Sequence, residues 1–349
     1  MKTLINQPVL LFLKAFIILL LTIQILAKFL EKQAKEKKYW TNCIYGNKKM
    51  NKTKTLLTDF LSENNCPFFV NEPLKDHTTI GIGGKTPVYI LPPTENFLIE
   101  IVSYLRKNRV NYRVLGRGSN VIPDDDNNVV IISSSELNKI EYFPSAIVVD
   151  AGFSVNKLVP ELARHELSGF EFLAGLPGSI GGALYMNAGA FGREIGDFFE
   201  SARVIDENGK IKNVSKEGIN FGYRYSSFQN KQYLILAATF NLHRDSKIKI
   251  ERRSNAILNQ RIKTQPVKWK SAGSIFKKPL NDFSVGYAID KLGLKGVRFG
   301  GAEVSKKHAG FIINRGNASQ YDIKQLIGFI KAQIKEHFGV LLETEVELW

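Results

Sequence analysis

Apolar residues along the chain switch between two periods, and the switches mark out the elements. From 53 to 63, Leu56, Leu57, Phe60 and Leu61 form one stripe, which predicts an amphipathic helix. "PVYIL" (87–91) reads as a strand stopped by two prolines, and "TENFLIEIVSYLRKN" (94–108) as a helix capped by Thr94 and ending near Asn108. "YRVLG", "NVVIIS" and "AIVVDAG" read as strands. "VNKLVPELARHELSG" (155–169) reads as a helix ended by Gly169. Strands return at "SARVID" and "YLILAATFNL", with a turn at Asn208-Gly209. A second unit starts near Arg244 with the basic helix "KIERRSNAILNQRIKTQ". It continues to the helix "DIKQLIGFIKAQIKEHF" and closes on "LLETEVELW", read as a strand. Strands and helices are interspersed without a regular βαβ repeat, so the class is α+β.

Residues 1–49 stand apart. "VLLFLKAFIILLLTIQIL" (9–26) is close to the ~20 apolar residues of a spanning helix, although Lys14 and Gln24 interrupt it. It is long for a secretory h-region and no A-x-A site follows. As an anchor, with Lys28, Lys32, Lys35, Lys37 and Lys38 after it and Lys2 before it, it would leave the body in the cytoplasm. A third reading is an upstream stretch wrongly included, because Met50 opens "MNKTKTLLTDFLSENN", the polar start of a helix; Met50 is the expected functional start.

Composition narrows the partners. The 349 residues carry a net charge of +15; residues 1–49, with nine Lys and two Glu, supply +7 of it, leaving +8 on the body. A basic body suits an anionic ligand. No aromatic RNA-binding motif accompanies the charge, which disfavours nucleic acid. Cys43 and Cys66 make no disulfide framework and point to a reducing compartment. The histidines (His77, His165, His243, His308, His337) show no metal-ligand spacing, and no metal is expected.

Candidate chemistry lies in the glycine-rich stretches. "TIGIGGKTP" (79–87) ends like a phosphate loop, but the glycine required five positions before Gly84 is Thr79, and G-x-G-x-x-G fails as well. In "GRGSN" (116–120) closely spaced glycines let backbone N–H groups approach an anion, with Ser119 and Asn120 as further donors; a plain turn is the alternative. The segment 169–197 is the most glycine-dense and offers no strong nucleophile, which suits a flat cofactor that brings its own chemistry. In "SAGSIFKKP" (271–279) Ser274 lacks both a nearby histidine and the G-x-S-x-G frame, so a hydrolase nucleophile is unsupported and a hydroxyl proton donor remains.

Taken in order, "HTTIGIGG", "GRGSN", "EFLAGLPGSIGGALYMNAGAFG", "FGYRYSSFQ", "SAGSIFKKP", "GLKGVRFGGAEVSKKHAGFIIN" and "FGVLLETEVEL" resemble the UDP-N-acetylenolpyruvoylglucosamine reductase (MurB) family from about Met50 to Trp349. The resemblance implies a two-lobed FAD-binding fold of the vanillyl-alcohol oxidase (PCMH) type over 50–243, followed by an α+β substrate-binding domain over 244–349. It implies UDP-N-acetylmuramate dehydrogenase activity, with FAD as cofactor and NADPH as reductant. Hydride would pass from NADPH to FAD to C3 of UDP-N-acetylglucosamine enolpyruvate, with protonation at C2. Gly116, Gly118, Ser119 and Asn120 would hold the FAD pyrophosphate. Gly175, Pro177, Gly178, Ile180, Gly181, Gly182, Asn187, Ala188 and Gly189 would line the isoalloxazine and phosphates. Ser274 matches the family's proton donor, Arg224 its catalytic arginine and Glu345 its glutamate, while Tyr223 and Lys277 fall on substrate-contacting positions.

Two positions depart from the family pattern. Lys278 stands where the motif has Asn, and Arg117 where glycine is common. No loop insertion follows "FGYRYSSFQ", so the chain resembles the class without a substrate-closing loop, type II. A cytoplasmic monomer is expected. The alternative is a sugar or alcohol oxidase on the same flavin fold; such enzymes tether FAD through His or Cys, and His77 precedes the first glycine loop.

Overall fold

The structure, a computed structural model, describes residues 54–231, 233–279 and 283–349. The apolar run 9–26, Cys43 and the choice of start at Met50 lie outside the described residues. Among the described residues no helix is long and apolar enough to cross a membrane. The expected first helix covers 54–63.

From residue 61 onwards three sheets organise the chain. The first runs Phe68–Pro73, Lys85–Ile90, Val130–Ser133, Tyr112–Leu115, the last three strands parallel. The helix Glu95–Lys107 makes the crossover. Thr94 caps it, accepting a hydrogen bond from the Phe97 amide at 3.2 Å. Leu98, Ile101, Val102 and Leu105 form its buried face, the i, i+3, i+4, i+7 set of an amphipathic helix.

The second sheet is antiparallel, in the order Ile211–Ser215, Phe199–Ile205, Leu234–Asn241, Ala146–Asp150, Ile140–Tyr142. Its central strand Leu234–Asn241 is buried on both faces, which explains its nearly unbroken apolar run. Phe170, Phe199 and Phe240 meet edge-on in the core beneath the helix Val155–Arg164.

The third sheet, Lys270–Ser274, Phe311–Asn314, Ala302–Val304, Arg298–Phe299, packs against the helix Gln320–Phe338. That helix starts with a Ser319/Asp322 capping box and stops at Gly339, whose φ is +69°. Its core draws in Ile80, Ile82 and Ile122 from the first half of the chain. The α+β expectation therefore holds.

Two expected elements change. The helix from 155 stops at Arg164; Glu166 turns left-handed (φ +56°), and Leu167–Ser168 pairs with His243–Arg244 instead. The closing strand shrinks to Glu347–Leu348, because its backbone bonds are divided among different partners.

Candidate active site

That divided segment assembles the site. Lys277 N donates to Glu343 O at 3.0 Å and Glu345 N to Ile275 O at 2.8 Å, tying one half to the strand that carries Ser274. Glu347 N donates to Asn120 O at 2.9 Å and Trp349 N to Ile122 O at 3.1 Å, tying the other half to the exit of the 116–120 loop. The Asn120 side chain adds a bond to Glu345 O at 3.1 Å. Glu345 is thus held between the two loops that carry Asn120 and Ser274.

Ser274 ends the strand Lys270–Ser274, opposite Phe311, after a register shift that begins at Ser271. Gly273 takes up the irregularity with φ +80°, and a side chain there would meet nothing within 4 Å. The backbone, not space, requires glycine. The Ser274 hydroxyl has no protein hydrogen-bond partner among the described residues.

Arg224 sits at the tip of a hairpin, Phe221–Gly222 paired with Tyr225–Ser226. Its φ is +54°, a conformation that costs a non-glycine residue roughly 1–2 kcal/mol. Its Nε donates to Glu345 Oε1 at 2.7 Å, across a sequence separation of 121. Both side chains are largely buried, 20 % and 16 % exposed. Burial pushes the Glu345 carboxyl above its ordinary range, opposed by Arg224 and, more weakly, by Lys277.

Arg224, Ser274 and Glu345 line one cleft of about 670 Å³, together with Gly175, Pro177, Gly178, Ala188 and Gly189. A Cβ on Gly189 would lie 2.8 Å from the Arg193 carbonyl and 3.3 Å from an Arg224 terminal nitrogen, so its bare backbone packs closely on the neighbouring strand beside the arginine. A second cleft of about 470 Å³ is lined by Gly116, Arg117, Gly118 and Gly181. Ser119, Asn120 and Gly182 border both, so the two clefts share a wall. Gly118 has φ +58°, and a Cβ on it would lie 2.2 Å from the His77 carbonyl.

Four of the expected site residues line neither of these two clefts. Ile180 is fully buried in the second-sheet core and lines neither cleft. Asn187 is also fully buried; its amide nitrogen donates to Glu194 Oε2 at 2.7 Å and Gly222 O at 2.9 Å, and its oxygen accepts from Gly196 N. It braces the Arg224 hairpin, because a buried amide with three internal partners has little capacity left for a ligand. Tyr223 lies under the Arg224 guanidinium, 5.2 Å from ring centroid to charge, and its hydroxyl accepts from Lys278 N at 3.3 Å. Lys277 borders a third opening of about 400 Å³ beside Arg224 and Glu345, and lies 3.6 Å from Glu343. His77 lines none of these clefts; it pairs with Glu72 at 2.8 Å and stacks on Tyr89. Lys85 and Thr86 of the apparent phosphate loop open a strand, with the Thr86 hydroxyl donating to Val129 O at 2.6 Å.

Arg261 escaped the sequence reading. It is 7 % exposed and borders the larger cleft. One terminal nitrogen donates to Phe172 O, and Nε has no partner. Burial and the charge of Arg224 lower its pKa. Among the basic residues of its helix only burial singles it out. A buried guanidinium without a carboxylate at a glycine-lined wall fits an anionic cofactor, which Arg261 would help to hold.

Residues 86–215, which carry most of the glycine walls of the two clefts, match the family model described as FAD binding domain, and this places the chain among FAD-binding proteins. Residues 265–349 match UDP-N-acetylenolpyruvoylglucosamine reductase, C-terminal domain. The chain is 42 % identical over 286 residues to the UDP-N-acetylenolpyruvoylglucosamine reductase of Fervidobacterium nodosum, covering 81 % of this chain and 92 % of the relative. It is 41 % identical to that of Enterococcus faecalis, covering 82 % and 95 %. A crystal structure of the Thermus caldophilus enzyme superposes with a TM-score of 0.69 at 35 % identity, covering 81 % of this chain and 98 % of that one. The chain belongs to the UDP-N-acetylenolpyruvoylglucosamine reductase family.

Proposed function

We propose that this chain reduces UDP-N-acetylglucosamine enolpyruvate to UDP-N-acetylmuramate with NADPH, a step of peptidoglycan precursor synthesis, as a monomer in the cytoplasm. The observation that carries the reading is the convergence of the Ser274 hydroxyl and the Arg224–Glu345 pair on one cleft with glycine walls. In this reading residues 50–243 form the flavin-binding module and 244–349 the substrate domain.

FAD, when bound, supplies the relay of hydride from NADPH to C3 of the enolpyruvyl group. The rest falls to the chain. Arg224 has committed its Nε to Glu345, and its terminal nitrogens hold the substrate carboxylate in a bidentate grip. As hydride reaches C3, negative charge grows toward the carboxylate, and this guanidinium stabilises it. Ser274 then gives its hydroxyl proton to C2. Glu345, whose carboxyl burial makes readier to hold a proton, replaces it. Arg261 adds a second positive charge to the wall.

The test is NADPH oxidation by the flavin-loaded full chain. Oxidation that requires UDP-N-acetylglucosamine enolpyruvate supports the reading. Consumption of NADPH regardless of that substrate, or none with it present, refutes it.

A further inference from the structure

The Arg224–Glu345 pair stands between two openings. In front is the 670 Å³ cleft that Ser274 also lines; behind is the opening of about 400 Å³, which Ser274 does not line. The charged side chains of the rear opening are Arg113, Arg224, Lys277, Glu345 and Glu347. Among the described residues Glu345 and Glu347 are its side-chain carboxylates, and two residues of chain keep their Cα atoms within about 7 Å of each other. Glu347 is half-buried and accepts a hydrogen bond from Trp349 Nε1 at 3.4 Å. Arg113 lies over the same indole, 4.9 Å from its centroid. Burial and the charge of Glu347 push the Tyr185 hydroxyl up to about 12, so that hydroxyl keeps its proton beside the carboxylate.

Each turnover of the proposed reaction draws one proton from water. A hydride equivalent leaves NADPH as NADP⁺ and ends on C3, and the Ser274 proton ends on C2. Glu345 restores Ser274 and is left as a carboxylate, one proton short. A front cleft occupied by flavin and sugar nucleotide has little room for water, whereas the rear opening still borders Glu345. We propose that the rear opening is a proton entry, in which Glu347 takes a proton from solvent and passes it through water in the opening to the Glu345 carboxylate. The inference rests on the proposed reductase function. Charge favours carriage on a carboxylate, because Arg113, Arg224 and Lys277 repel a free hydronium ion. Burial already favours the protonated form of Glu345. The O–H bond on Glu347 breaks as one on Glu345 forms, so Glu347 returns to its starting state and one solvent proton is consumed per product. Glu347 does not line the cleft of Ser274, so it acts only through Glu345.

The experiment compares first and later turnovers in the flavin-loaded full chain and in Glu347→Gln, which keeps the shape of the side chain but has no acid proton to pass on. Enzyme reduced beforehand with NADPH is mixed with one equivalent of UDP-N-acetylglucosamine enolpyruvate in stopped flow. Reoxidation in the variant should stay within about twofold of wild type, because Ser274 and Glu345 already hold the proton for that turnover. Steady-state kcat should fall about tenfold or more, and recover as imidazole, a small proton carrier, is added at fixed pH and ionic strength. Bound flavin and the thermal midpoint report whether the variant is folded. Glu347→Asp keeps the acid and should retain most of kcat, so the test stays decisive if glutamine disturbs the Trp349 contact. Unchanged kcat in Glu347→Gln, equal slowing of first and later turnovers, or slowing that imidazole does not relieve overturns the proton entry alone when wild type turns over. A wild-type chain that the sugar nucleotide never reoxidises overturns the reductase reading, and the proton entry with it.

Discussion

Glu345→Gln tests the electrostatics at the centre of the site. Two opposing effects act on this carboxylate. Taking an ion out of water costs several kcal/mol, while a charge-assisted hydrogen bond of the kind it makes with Arg224 returns about 1.5–3 kcal/mol. The carboxyl pKa is raised above the usual 4.5, so burial wins. The folded state then binds more protons than the unfolded state between 4.5 and the raised value, and stability falls as pH rises through that window. Glutamine imitates the protonated acid and does not titrate. The variant should match wild type near pH 4 and become the more stable of the two toward pH 8, by on the order of 1 kcal/mol or about 2 °C in Tm. Turnover should meanwhile fall by about 10²-fold or more. Thermal melts of both flavin-loaded proteins across pH 4–8, with steady-state kcat, provide the measurement. If the variant instead loses stability relative to wild type as pH rises, the Arg224 attraction exceeds the burial cost, and the proton-holding role of Glu345 fails with it.

Other perturbations separate the remaining roles. Ser274→Ala should leave the flavin reducible by NADPH but slow its reoxidation by substrate by about 10²–10⁴ in stopped-flow absorbance; an unchanged rate removes Ser274 as donor. Gly118→Ala places a methyl 2.2 Å from the His77 carbonyl at a left-handed position, so it should cost at least about 2 kcal/mol and lower flavin content. A normal flavin complement and an unchanged melt would show that the loop moves freely. Arg261→Met removes a buried charge with an unpartnered Nε, so the flavin-free protein should melt no earlier while the bound flavin becomes harder to reduce. A lower melt with an unchanged potential, read by spectroelectrochemical titration, would make Arg261 a structural brace through Phe172.

What the sequence determined by itself is local. The helix Glu95–Lys107 was legible because its cap at Thr94 and its buried face obey spacings of three and four residues. The helix Gln320–Phe338 was legible inside its capping box and Gly339, although it begins two residues earlier than its apolar pattern. The motif order marked the family, since each glycine cluster is a short contiguous string. Tertiary structure decided what the site is made of. It split the closing "LLETEVELW" between two partners, because hydrogen bonds to Ile275 and to Asn120 are worth as much to that backbone as a continuous ladder. It brought Arg224 to Glu345 across a separation of 121 residues, which no local period encodes. It turned Ile180 and Asn187 inward from a stretch whose neighbours line the clefts, and it buried Arg261 in a helix that reads as solvent-facing. Burial and charge pairing depend on which distant surfaces close over a residue, so these assignments appear only once the three sheets are in contact.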